Sequence, residues 1–295
     1  MREPIFTVTC TAFVTPFEST GSVNYDAFTR LFVKQIEGGV DAICVCGTTG
    51  ETSTLSIREH IAVVEHCIKQ VNHRVKVVAG AGSNDTSAAV YLSQHAQDSG
   101  ADALLLVTPY YNKASQTGLI KHYTYIAERV DIPIILYNVP GRTGVSFTAE
   151  TYQALAQNPR INGVKEASGN FSLLAHTRAI CPEDFYIWSG NDDQVVPMMS
   201  LGAKGVISVA ANLVPEVMVK MSHLCLEEHF SQASALQLQY MGLIDALFAE
   251  VNPIPIKAAL NLVGQEAGPL RLPLCDISEP NLALLKSAMA GVGLL

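Results

Sequence analysis

IPIILYNVPGRTG, residues 132–144, and INGVKEASG, residues 161–169, are built alike: an apolar, β-branched run ends abruptly in a polar, glycine-bearing segment. Such a run reads as a buried strand and its polar tail as the loop that follows. Working outward, comparable runs occur at Phe6 to Val14, Ala42 to Cys46, Val75 to Ala79, Ala103 to Val107, Phe185 to Trp188 and Gly205 to Val209. With Ile132 to Tyr137 and Ile161 to Lys165 these make eight candidate strands. Segments of helical periodicity lie between them: Phe28, Leu31, Phe32, Gln35 and Ile36 form one stripe, and Ile61, Val64, Cys67, Ile68 and Val71 another. Eight β-then-α units predict a closed (β/α)8 TIM barrel. An open doubly wound sheet would begin with a Gly-x-Gly-x-x-Gly turn after its first strand, and here Val14-Thr15-Pro16-Phe17 follows instead. After Val209 the alternation stops. Gln232 to Phe248, Ile256 to Val263 and Pro280 to Ala290 read as helices, so residues 1–226 are expected to form the barrel and residues 227–295 a helical C-terminal extension.

Composition narrows the function. Hydrophobic residues make up 48% of the 295 residues and charged ones 16%, which favours a large core and contact between subunits. The net charge of -8, with no cluster of Lys and Arg, opposes nucleic acid and anionic membranes as partners. Met1-Arg2-Glu3-Pro4 lacks the basic-then-apolar pattern of a signal peptide, and no apolar run has the length of a membrane helix, so a cytoplasmic protein is expected. Seven scattered cysteines without a Cys-x-x-Cys fit reduced thiols. Cys44 and Cys46 share a face by the two-residue period of a strand and are expected to fill the barrel interior. The eight histidines are dispersed, and neither a metal site nor a nucleotide loop is legible.

In a (β/α)8 barrel, chemistry gathers at the C-terminal ends of the strands. Of ten lysines, Lys165 is the one that closes an apolar strand, where desolvation favours the neutral, nucleophilic amine; the alternative is a structural ion pair with Glu166 or another carboxylate. Tyr137 ends the neighbouring strand, within reach of Lys165, and a phenol there can pass protons; otherwise it is a core residue with a hydroxyl at the rim. Thr48 and Thr49, between two glycines and ahead of a helix starting near Ser56, suit a carboxylate or form an ordinary capping turn. Arg142, in a Pro-Gly-Arg-Thr-Gly loop, is a bidentate clamp for a carboxylate or a solvated loop residue.

Together, Gly47-Thr48-Thr49-Gly50-Glu51, Tyr110-Tyr111, the Tyr137-to-Gly144 loop and Val164-Lys165-Glu166-Ala167-Ser168-Gly169 resemble the dihydrodipicolinate synthase family in order and spacing along nearly the whole chain. Asn252-Pro253-Ile254-Pro255-Ile256-Lys257 resembles that family's segment entering the C-terminal helices. The resemblance implies an imine between Lys165 and pyruvate, with no separate cofactor. It further implies a proton relay of Tyr137, Thr48 and a Tyr111 supplied by a neighbouring subunit, and a pyruvate carboxylate held by Thr49. Arg142 would bind the carboxylate of L-aspartate 4-semialdehyde, and Gly190 and Ile207 would line the pocket through backbone groups. A homo-oligomer assembled as a dimer of dimers, working in the diaminopimelate route to lysine, is part of the same expectation. Gly141 and Ala114 depart from the family pattern, away from the chemistry. Aldolases and lyases of sugar acids, acting on N-acetylneuraminate or 2-keto-3-deoxy-gluconate, are the alternative within the superfamily; they generally lack an arginine placed like Arg142. A barrel that has lost catalysis and only binds ligand or serves as a scaffold would have no reason to keep all of Lys165, Tyr137, Thr48, Tyr111 and Arg142. Feedback inhibition by L-lysine is expected to be weak. Asn84, Tyr110 and His60 match lysine-sensitive relatives, but Ile57 stands where those carry a histidine and Ala88 where they carry a glutamate.

Overall fold

The computed structural model describes residues 1–295. Eight strands, β1 (Val8–Ala12), β2 (Ala42–Val45), β3 (Lys76–Gly80), β4 (Ala103–Val107), β5 (Ile134–Asn138), β6 (Ile161–Glu166), β7 (Tyr186–Ser189) and β8 (Gly205–Ser208), close into a parallel barrel in which β8 pairs with β1. Between them run α1 (Tyr25–Glu37), α2 (Ile57–Val71), α3 (Thr86–Ser99), α4 (Gln116–Ala127), the single turn α5 (Pro140–Thr143), α6 (Ala149–Leu155), α7 (Phe171–Ile180) and α8 (Val195–Ser200). Beyond β8 come α9 (Pro215–Leu226), α10 (Phe230–Leu247), α11 (Ile254–Leu262) and α12 (Glu279–Gly291). This is the TIM barrel with a helical C-terminal extension that the alternation predicts.

The strands are shorter than some of the apolar runs, for local reasons. Pro133 has no N–H to give to a ladder, so β5 starts at Ile134 and extends one residue past Tyr137. Phe6 precedes β1 and stacks on Trp188 with ring centroids 5.1 Å apart. The helices start on side-chain caps: Asn24, Asp85, Ser115, Thr148 and Asn170 each accept a backbone N–H of the first turn. Ser56 and Glu59 form a full capping box on α2.

Paired residues in a parallel sheet share a face, so the register shows which side chains fill the barrel. Val107, Tyr137, Lys165 and Trp188 lie in one row across β4 to β7; Ala12, Cys44 and Val78 lie in another across β1 to β3. One contiguous apolar core runs from the strands through the surrounding helices and includes Ala233, Leu243, Leu247, Leu260 and Leu285 of the extension. The extension is thus packed onto the barrel rather than around a core of its own.

One sequence expectation fails. Cys44 faces inward, but Cys46 does not continue the alternation: it lies past the end of β2 with φ +55°, and its Sγ is 3.8 Å from the His60 carbonyl oxygen in α2. A left-handed residue breaks the two-residue period, so Cys46 packs against the helix layer.

Candidate active site

Lys165 closes β6 and is 5% exposed. Its Nζ stands 4.3 Å from the centroid of the Tyr137 ring on the neighbouring strand, and it has neither a hydrogen bond nor an ion pair. The Glu166 carboxylate, the proposed partner in a structural pair, faces the opposite way. It accepts from Asn138 Nδ2 at 3.0 and 3.1 Å, from the Tyr152 hydroxyl at 2.9 Å and from the Ser168 N–H at 2.8 Å. Adjacent residues of a strand point to opposite faces, so Lys165 and Glu166 cannot pair. Below the amine the barrel holds the Cys10 and Cys44 thiols. Burial pushes both up, Cys44 to about 11, and the nearby Lys165 charge opposes this only in part. They are protonated at neutral pH and offer Lys165 no counter-ion.

Gly190 lies against Lys165. A Cβ there would sit 2.6 Å from the Ala167 Cβ and 3.1 Å from the Lys165 Cε, so only glycine leaves the lysine stem its place. Ile207 is fully buried in β8 and pairs with Cys10 on the inward face. Asp192, which sequence reasoning passed over, accepts the N–H groups of Val209 and Ala210 at 3.0 and 2.8 Å and so fixes the chain leaving β8. Burial raises its carboxyl above the usual range, against its hydrogen bonds and the Lys165 charge.

A cavity of about 390 Å³ opens at the C-terminal ends of the strands. Thr48, Val107, Val139, Arg142, Thr143 and Asn252 line one part of it, and Ile57, His60, Leu92 and Tyr110 another. Lys165 and Tyr137 are buried and do not line it. Thr48 and Thr49 sit in a tight turn in which Gly50 N–H donates to the Gly47 carbonyl and Glu51 N–H to that of Thr48. The turn is not the start of α2: a separate turn at Thr52–Thr54 intervenes, and the first N–H groups of α2 are met by Ser56 and Glu59. A helix-terminal anion site at Thr48 and Thr49 is therefore replaced by hydroxyls in a braced loop. Thr49 is buried, and its Oγ1 accepts from Asn252 Nδ2 at 2.9 Å.

Arg142 is held on α5, whose Pro140 presets the first helical φ and whose Thr143 accepts from the Thr108 hydroxyl at 3.0 Å. Arg142 Nη2 donates to the Asn252 backbone carbonyl at 3.2 Å. Thr49 and Arg142, one on the loop after β2 and the other after β5, thus meet the same residue of the C-terminal segment. Asn252 was legible only as part of a motif, because nothing local marks it as a bridge. Tyr111 stands apart. It is 90% exposed, with φ +72°, and does not reach the cavity within one chain. No three His, Cys, Asp or Glu side chains converge in a metal-binding cluster, and no helix is long and apolar enough to cross a membrane.

A closed (β/α)8 barrel with an unpaired lysine on its inward face, at the C-terminal end of a strand beside a tyrosine, defines a lyase of the Schiff-base-forming, class I aldolase type. The sequence profile described as the Dihydrodipicolinate synthetase family matches residues 5–290, and the chain belongs to that family. It is 48% identical over 295 residues to the 4-hydroxy-tetrahydrodipicolinate synthase of Acetivibrio thermocellus, covering 100% of both chains. Among solved structures, the chloride-inhibited dihydrodipicolinate synthase from Acinetobacter baumannii complexed with pyruvate superposes with a TM-score of 0.96 at 40% identity, covering 98% of this chain and 99% of that one. The enzyme from Cyanidioschyzon merolae with lysine bound gives 0.97 at 41% identity, covering 99% and 100%.

Proposed function

We propose that this chain is a 4-hydroxy-tetrahydrodipicolinate synthase, which condenses pyruvate with L-aspartate 4-semialdehyde in the diaminopimelate route to lysine. Its end-to-end similarity to enzymes of that name favours this reading over a sugar-acid lyase. The observation that carries the chemistry is Lys165, buried, free of any acceptor and in contact with the Tyr137 ring. No neighbouring group occupies its nitrogen, which in the neutral form attacks the pyruvate ketone. Loss of water gives the imine, which is covalent with substrate and needs no cofactor. Removal of a proton from the pyruvate methyl group then gives an enamine, whose carbon attacks the aldehyde of the second substrate.

In this reading Tyr137 and Thr48 carry protons during these steps, and Tyr111 enters from a second copy of the chain. Its exposure and its place outside the cavity lining suit a role outside its own barrel. Thr49 donates to the pyruvate carboxylate, Arg142 binds that of the semialdehyde, and Gly190 and Ile207 shape the pocket beside the lysine. A homo-oligomer, a dimer of dimers in the fuller form, working in the cytoplasm, completes the proposal. Steady-state assays with pyruvate plus L-aspartate 4-semialdehyde, set beside N-acetylneuraminate and 2-keto-3-deoxy-gluconate, test it: turnover of a sugar acid in preference to the condensation overturns it.

A further inference from the structure

The C-terminal segment grips the Gly47–Glu51 turn at two points. Asn252 Nδ2 donates to Thr49 Oγ1 at 2.9 Å. Five residues on, the Lys257 ammonium spends its three donors on Glu51 Oε1 at 2.8 Å, the Thr15 carbonyl at 2.9 Å and the Pro269 carbonyl at 2.7 Å. The second Glu51 oxygen accepts the Arg271 N–H at 3.0 Å, and Thr15 returns its hydroxyl to the Gly50 carbonyl at 2.7 Å. Glu51 itself is held at φ +52°, a conformation that a side-chain-bearing residue keeps only where its surroundings impose it. The turn carrying Thr48 and Thr49 is therefore fixed by residues about two hundred positions away.

A hydroxyl has one proton and two lone pairs. With a lone pair of Thr49 Oγ1 occupied by the Asn252 amide, its proton is left to be given to an acceptor, and the acceptor expected at this site is a carboxylate. We propose that Asn252, backed by the buried Lys257–Glu51 pair, is a positioning residue for pyruvate: it turns Thr49 into a hydrogen-bond donor toward the substrate carboxylate. The inference rests on the reading of Lys165 and Thr49 given above. Because Arg142 also bonds to Asn252, the residue lies between the groups assigned to the two substrate carboxylates.

The test compares the full-length enzyme with N252A, N252D and the double variant E51Q/K257M. Pyruvate KM, kcat and thermal midpoint are measured, together with borohydride trapping at saturating pyruvate. N252A should raise the pyruvate KM about tenfold, with kcat within about threefold and only a small fall in midpoint, as expected for loss of one oriented hydrogen bond. N252D keeps the shape but replaces the donor by an acceptor that takes the Thr49 proton, so its KM should rise further, by roughly a hundredfold. E51Q/K257M removes both buried charges together, should fold, and should still raise the pyruvate KM several-fold. Trapping should remain on Lys165 throughout. Wild-type pyruvate KM in N252D, or KM changes that merely follow the loss of thermal midpoint, would overturn the inference. Absence of a Lys165 adduct in the wild-type enzyme would instead overturn the reading beneath it.

Discussion

Two lysines are buried in this chain, and their surroundings are opposite. Lys257, 1% exposed, has a carboxylate and two carbonyls within 2.9 Å. Lys165, 5% exposed, has no acceptor, only the face of Tyr137. Burial pulls the Lys257 ammonium below the ordinary lysine value, yet Glu51 opposes the shift and every N–H is used. The difference teaches how a protein divides one side-chain chemistry. An amine whose three N–H groups are all spent on acceptors is structural, because its geometry is fixed; an amine with none leaves its nitrogen open to a substrate.

Exchanging roles between the two is the sharpest way to break this comparison. Lys165→Met should lower kcat/KM on the order of 10⁴-fold or more while leaving the thermal midpoint unchanged or slightly raised. In the wild type, borohydride with pyruvate should add reduced pyruvyl mass to the peptide containing Lys165 alone. A labelled Lys257, or a Lys165→Met enzyme that unfolds, breaks the division. The reverse holds for Lys257→Met, which strands the Glu51 carboxylate and should destabilise the fold by roughly 3–5 kcal/mol in denaturant titration. Little loss of stability there means that Glu51 finds another partner.

A third experiment asks whether the free amine is served from outside its own barrel. Lys165→Ala and Tyr111→Phe subunits, each expected to be inactive alone, should regain part of the activity in verified mixed oligomers. No recovery removes Tyr111 from the relay.

The smallest effect concerns a free lysine rather than a side chain. An ammonium settles only where acceptors await it, and the part of the cavity lined by Ile57, His60 and Tyr110 has few to offer. Ile57 lines it with an apolar side chain, 54% exposed, and Ala88 supplies none. Asp85 is already committed, its carboxylate capping α3 at the N–H groups of Ser87 and Ala88. His60 is tied to the Gly80 carbonyl at 2.7 Å. A lost charge-assisted hydrogen bond weakens binding by about tenfold to a hundredfold. Half-inhibition by L-lysine at subsaturating pyruvate should therefore need millimolar concentrations or more, and inhibition well below that would contradict the comparison.

The sequence by itself determined the barrel, because strand and helix periodicity are local and eight alternations leave few topologies. It also singled out Lys165, the one lysine that closes an apolar strand, while the facing of Glu166 away toward Asn138 and Tyr152, which excludes an ion pair with it, came from the structure. Placing Cys46 in the interior failed on one left-handed residue, which no periodicity shows. Only the tertiary structure decided what each polar group faces. Asn252 meets Thr49 across 203 positions of sequence and Lys257 meets Glu51 across 206. Such pairings depend on where the closed barrel and its packed extension bring distant backbones, so they carry no local signal. Lys257 sits in an apolar helical stretch and Lys165 at the end of an apolar strand, and both are buried. Which one is anchored and which is free was settled by the acceptors the fold places around them.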